Sequence, residues 1–156
     1  MSECSCQSCQ SACTQKPGWF LPGEIEKVSE HLKIPVQELF DNHLGVDWWE
    51  SENQEKSIFV LSPAIRNMTP GEEFPGNPIG ECVFFENGKC NIHPVKPFEC
   101  REFIHTDKGN EIFRNRKTII KNAWEPLQQE ITELLGREPE TEEYSLDIFS
   151  MIFGTR

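Results

Sequence analysis

Apolar residues recur at helical spacing in two early segments of the 156-residue chain. From Gly23 onward, Ile25, Val28 and Leu32 share one face while Glu24, Glu26, Lys27 and Glu30 lie outside it. This predicts an amphipathic helix whose acidic first turn suits the helix dipole. Pro35 predicts the first turn of a second helix, with Val36, Leu39, Phe40 and Leu44 on its core face and Gly45 as its stop. Both apolar stripes read as core. Ahead of them Pro17-Gly18 turns the chain and Trp19-Phe20-Leu21 packs inward. Residues 1–16 have no hydrophobic period and many small polar side chains, so they read as a loop that only an external tie would hold.

Beyond Trp48-Trp49 the polar run Glu50 to Lys56 reads as an exposed loop, and Ser57 to Leu61 as a buried strand closed by Ser62-Pro63. Residues 67–80, with Pro70, Pro75 and Pro78 among Gly71, Gly76 and Gly80, read as an irregular surface connection. Asn87-Gly88 between two strand-like runs predicts a tight hairpin across Cys82 to Ile92, with Cys82 and Cys90 on neighbouring strand ends. Pro94 and Pro97 then steer the chain, and Cys100 falls at or near the start of a short helical turn or extended piece. In the last third Ile120, Trp124, Leu127, Ile131 and Leu134 form a helical apolar face, interrupted at Pro126 and stopped at Gly136. Tyr144 to Phe153 reads as a last short helix. The fold class expected is a single α+β domain over residues 1–156, mainly helical, with a small antiparallel hairpin or sheet.

Composition sharpens this picture in three places. The length suits one domain, and 37% hydrophobic with 26% charged residues describes a folded, soluble chain. Eleven phenylalanines and four tryptophans against one tyrosine imply aromatic-rich packing. No apolar run is long enough to span a bilayer, and the amino terminus is polar rather than signal-like, so the expected location is the cytoplasm. Fifteen basic against 26 acidic residues leave a net charge of −11, which argues against nucleic acid or an anionic membrane as partner. By default that acidity keeps the chain in solution.

The chemistry is concentrated in cysteine. All seven lie in two stretches: Cys4, Cys6, Cys9 and Cys13 in the first, Cys82, Cys90 and Cys100 in the second. An odd number of clustered thiols without an export signal points to metal binding rather than a disulfide framework. Cys6-x2-Cys9 lets two sulfurs reach one ion, and Cys9-x3-Cys13 does so across about one helical turn. Thiolates select zinc, copper(I) and iron–sulfur clusters, and closed zinc and iron–sulfur sites commonly take four. The expectation is that the fold joins the two stretches around metal and makes the amino terminus part of the domain. Lys89, Lys96 and Arg101 lie in the second stretch, where cations would offset a negative thiolate centre, although a solvated surface explains them equally.

The run Cys6-x2-Cys9-x3-Cys13, the helix Glu24-Ile25-Glu26-Lys27-Val28, and above all Cys82-Val83-Phe84-Phe85 with Gly88-Lys89-Cys90-Asn91-Ile92-His93-Pro94-Val95-Lys96-Pro97-Phe98-Glu99-Cys100-Arg101, resemble the YkgJ-type cysteine-cluster family. The resemblance spans about residues 4–105 and leaves 106–156 as a helical extension. It implies a zinc- or iron-chelating domain, often of the iron–sulfur kind. Three positions depart from the family pattern: Cys13-Thr14 where a doubled cysteine is usual, His93 where tyrosine is usual, and Lys96-Pro97 where Arg-Pro is usual. The first departure leaves open whether Cys4 replaces the missing ligand and whether there is one centre or two. His93 follows Cys90 at a ligand-like spacing, but the family tyrosine favours ordinary packing. His31, His43 and His105 read as structural or surface positions.

Three readings of function follow. The first is an iron–sulfur protein in electron transfer or assisting a redox partner, with Phe84, Phe85 and Phe98 excluding water. The second is a zinc-stabilised structural or protein-binding module without catalysis, its acidic surface serving a basic protein partner. The third is a thiol enzyme using Cys100 beside Arg101. No nucleophile–base pattern, phosphate loop or paired-carboxylate motif accompanies that cysteine, so catalysis ranks last. Zinc knuckles usually come as two CxxC units and only Cys6/Cys9 qualifies here, which tips the reading toward iron–sulfur.

Overall fold

The structure is a computed structural model and describes residues 13–15, 17–49, 58–74, 79–103 and 118–139. Its fold is α+β. An antiparallel ribbon pairs β1 (Leu44–Trp49) with β2 (Ile58–Pro63), in a register running from Leu44 opposite Pro63 to Trp49 opposite Ile58. The apolar run 57–61 was expected as a strand; β1 was not. Asp47 breaks its apolar pattern, yet the carboxylate is buried and satisfied: Oδ2 accepts the Trp19 indole N–H at 2.8 Å and Oδ1 the Trp48 backbone N–H at 2.8 Å.

Gly45 lies within β1 and does not cap the preceding helix. A Cβ at that position would run into the Phe74 ring, so close packing selects glycine there. The connection after β2 is irregular, as its prolines and glycines imply, but residues 71–74 run along the outer edge of β1. Gly71 N–H donates to the Leu44 carbonyl at 2.7 Å, Val46 N–H to Glu72 at 3.0 Å, and Phe74 N–H to Val46 at 2.8 Å. Residues 75–78, like the predicted loop 50–56, lie outside the described part.

Helices pack on this ribbon. The first, α1 (Pro22–Leu32), buries Ile25 and Val28; α2 (Val36–His43) buries Leu39 and Phe40, with Pro35 as its N-cap. Glu24 corrects the sequence reading. It is buried, because its Oε1 accepts the Leu21 N–H at 2.8 Å and, across the fold, the Phe98 N–H at 2.9 Å. Its reach back to the N-cap is one half of a capping box.

The second ribbon is the expected hairpin: β3 (Phe85–Glu86) and β4 (Lys89–Cys90) flank Asn87 and Gly88, at φ 53° and 77°. The strands are shorter than expected, so Phe85 and not Cys82 sits on the strand end facing Cys90; Cys82 lies before the hairpin, where it bridges Ile65 instead. A 3-10 turn, His93–Val95, precedes α3 (Phe98–Phe103).

Residues 118–124 are helical and pass through a 3-10 turn, Glu125–Leu127, into α4 (Gln128–Leu135), the interruption expected at Pro126. Gly136 caps α4 with φ 79°. The predicted helix Tyr144 to Phe153 lies outside the described residues. Phe20, Ile25, Val28, Leu39, Phe40 and Ile131 belong to one core, which also contains Cys82 and Phe84. No helix among the described residues is long and apolar enough to cross a membrane.

Candidate metal centre

Two backbone hydrogen bonds join the end of the first cysteine stretch to the start of the second. Cys82 N–H donates to the Cys13 carbonyl at 2.7 Å, and Gly80 N–H to the Gln15 carbonyl at 2.6 Å. Residues 13–15, which the sequence places in a loop, form a helical turn at this junction. Cys13 and Cys90 pack against the core that contains Cys82.

Cys100 is positioned by a different set of contacts. Its sulfur accepts the Gly18 N–H at 3.3 Å. Beside it the Glu99 Oε1 accepts the Trp19 N–H at 2.7 Å, and Glu99 N–H donates to the Trp19 carbonyl at 3.3 Å. The Glu24 carboxylate, on the Phe98 N–H, ties the start of α3 to the start of α1. The segment before α1 therefore fixes the helix that carries Cys100.

The thiols experience one another. Burial pushes the Cys13 thiol up to about 11, Cys90 and Glu81 add to the shift, and Lys96 opposes it. Burial also raises Cys82 far above the ordinary thiol range; the Phe84 backbone N–H opposes this by donating to its sulfur, Cys13 and Cys90 reinforce it, and Arg66 lowers it. Cys100 is raised by burial and by Cys82, Cys13 and Glu99, against the Gly18 N–H. The neutral form dominates because a thiolate loses more hydration than it recovers from these partners.

Cys13, Cys82, Cys90 and Cys100 form no disulfide among the described residues. Among the described residues no group of three or more His, Cys, Asp or Glu side chains is gathered closely enough to hold a metal ion by itself. Neutral thiols pack as small apolar groups, with no charge to draw them onto a common point. Cys4, Cys6 and Cys9 lie outside the described residues, as do His105 and the Arg101 side chain. The donor set nevertheless fits a thiophilic metal: softness is right, two sulfurs accept backbone N–H groups, and Lys96 and Arg66 supply nearby positive charge.

His93 is buried in the 3-10 turn, and its Nε2 lies 3.1 Å from the Lys96 Nζ. An ammonium can only donate, so Nε2 accepts and the ring is neutral in that contact. His31 is exposed beside the Asn91 carbonyl, and His43 stacks on Phe84 at 5.5 Å between ring centroids. Both match the structural or surface roles expected.

Arg66 was missed by sequence reasoning. Its Nε donates to the Glu81 carboxylate at 2.7 Å, and its Nη2 to the Val83 and Phe85 carbonyls at 3.2 and 2.7 Å, holding the strand entry that carries Cys82. Nothing in its sequence neighbourhood signals that reach. Gly18 had a signal, the Pro17-Gly18 turn, but its amide donor to sulfur is a tertiary property. No protein-family model, curated protein or solved structure matches the chain.

Proposed function

We propose that the protein binds an iron–sulfur cluster through its clustered cysteines and works in electron transfer, or in support of a redox protein partner, in the cytoplasm. The observation that carries this reading is the set of groups around buried Cys82 and half-buried Cys13 and Cys100. Phe84 N–H reaches Cys82, Gly18 N–H reaches Cys100, Lys96 lies by Cys13 and Arg66 by Cys82. A neutral thiol needs none of them, whereas a thiolate is stabilised by each. The resemblance to YkgJ-type cysteine-cluster proteins supports the same class of ligand.

The proposed ligands come from Cys4, Cys6, Cys9, Cys13, Cys82, Cys90 and Cys100. When bound, such a cluster supplies one-electron chemistry. The chain's own residues fix the sulfurs through backbone amides, exclude water with the buried Phe84 and Ile92, and offset thiolate charge with Lys96 and Arg66.

A second reading, a zinc-stabilised module without catalysis, is favoured by the junction of residues 13–15 with 80–82. A closed thiolate site that pins two distant segments contributes folding free energy outright. Anaerobic purification followed by an absorption spectrum and metal analysis separates the two. Iron with sulfide and broad absorbance near ~400 nm supports the first; a colourless protein with stoichiometric zinc supports the second. In either case Cys90→Ala removes metal and destabilises the fold. A purified protein without metal, with all seven cysteines freely reactive, overturns both.

A further inference from the structure

A groove of about 330 Å³ opens between α1, α2 and α4, and no cysteine among the described residues lines it. Ile25, Leu61 and Ile131 lie at its base, all buried. Half-buried Pro22, Val36 and Leu134 present the apolar surface above them.

Among the described residues, every titratable side chain on its walls is a glutamate: Glu26 from α1, Glu130 and Glu133 from α4. All three are exposed, and none of their carboxylates has a hydrogen-bond or ion-pair partner among the described residues. Glu130 and Glu133 are three positions apart on one helix, hence neighbours on one face. An apolar floor between two acidic walls complements a narrow apolar stripe bordered by cations on both sides.

We propose that this groove docks a basic amphipathic helix of a partner protein, its apolar residues seated between α1 and α4 and its Lys or Arg residues set against Glu26, Glu130 and Glu133. Helix-in-groove recognition seats apolar anchors spaced three or four residues apart, and the apolar floor of Ile25, Leu61 and Ile131 is where they would sit. The net charge of −11 steers such a partner toward the protein, and the local carboxylates set where it lands. The inference is independent of the metal centre.

The test is fluorescence anisotropy of a labelled amphipathic Leu/Lys helical peptide titrated with the full chain, with a Leu/Glu peptide of the same pattern as control. The expected result is salt-sensitive binding of the Leu/Lys peptide alone, weakened about fivefold to tenfold by the double change Glu130→Gln and Glu133→Gln. A charge-matched pair at exposed positions elsewhere, Glu72→Gln with Glu86→Gln, should weaken it less than about twofold. Equal losses in the two double variants would show that net charge and not the groove attracts the peptide, and would overturn the proposal. So would equal binding of the two peptides, or no binding. Sedimentation without peptide adds one more outcome: a dimer that the peptide disperses would make a second copy of this chain the occupant and overturn the assignment to a basic helix.

Discussion

A Cβ placed on Gly18 would stand 2.7 Å from the Glu99 Cβ, 2.9 Å from the Cys100 nitrogen and 3.0 Å from its sulfur. Two of those three neighbours are backbone or the first side-chain carbon, which have nowhere to swing. Gly18→Ala is therefore expected to cost about 1–3 kcal/mol, the scale of overpacking, seen as a lower urea midpoint. Because the same residue's N–H sits on the Cys100 sulfur, under the proposed metal binding the variant should also retain less metal after gel filtration. Unchanged stability and metal content would show that the contact is dispensable. Glu24 offers a second test, since one buried carboxylate oxygen takes two N–H groups, from Leu21 and Phe98. Glu24→Ala leaves both without that acceptor and should cost about 1–3 kcal/mol, whereas Glu24→Gln keeps an oxygen in place and should lose about 1 kcal/mol or less. Equal losses would make charge, rather than hydrogen bonding, the function of this residue.

At the scale of elements, the β1–β2 ribbon survives because both its edges are covered. Residues 71–74 line β1, while along β2 the Phe20 N–H donates to the Leu61 carbonyl at 3.0 Å. The Gln128 amide completes the cover, accepting the Phe59 N–H at 3.0 Å and donating to its carbonyl at 2.9 Å, as a neighbouring strand would. Gln128→Ala should cost about 1–3 kcal/mol by freeing that pair. It should also speed hydrogen exchange at the Phe59 amide more than at Val60, whose partner on β1 is intact. Uniform acceleration along β2 would instead mean that the whole domain is loosened. These tertiary contacts mark the limit of what the sequence makes legible. Local rules found β2, both early helices, the Asn87-Gly88 hairpin and the break at Pro126, because each is written in adjacent residues. They missed β1, whose Asp47 looks polar until Trp19 supplies its partner, and they placed Glu24 outside because its second donor is 74 positions away. For the candidate site, the sequence shows where the thiols cluster along the chain, but not the Gly18 amide or the Arg66 clamp, which exist only once the chain is folded.

For the molecule as a whole, burial of its thiols makes stability depend on pH, and under the proposed metal binding the direction is opposite with and without metal. Cys13 is raised from 9.0 to about 11, and Cys82 and Cys100 are raised as well. Without metal, the unfolded chain gives up these protons from about pH 9 while the folded chain keeps them. The folded state then binds more protons, so stability falls as pH rises. For Cys13 the contribution is fully present below 9 and is lost as pH climbs through about 11. A metal-bound thiol has already surrendered its proton, so loading metal at neutral pH must release protons to solvent, and acid must weaken the bound state. Thermal melts from pH 6 to about 11 should therefore show the metal-free protein weakening above about pH 9 while the metal-loaded protein keeps its midpoint there and loses it on acidification. A pH indicator in weak buffer should report proton release when metal is added. If metal-free protein gained stability above pH 9, the thiols would not be buried as described. If metal bound without proton release, the ligands would not be these cysteines.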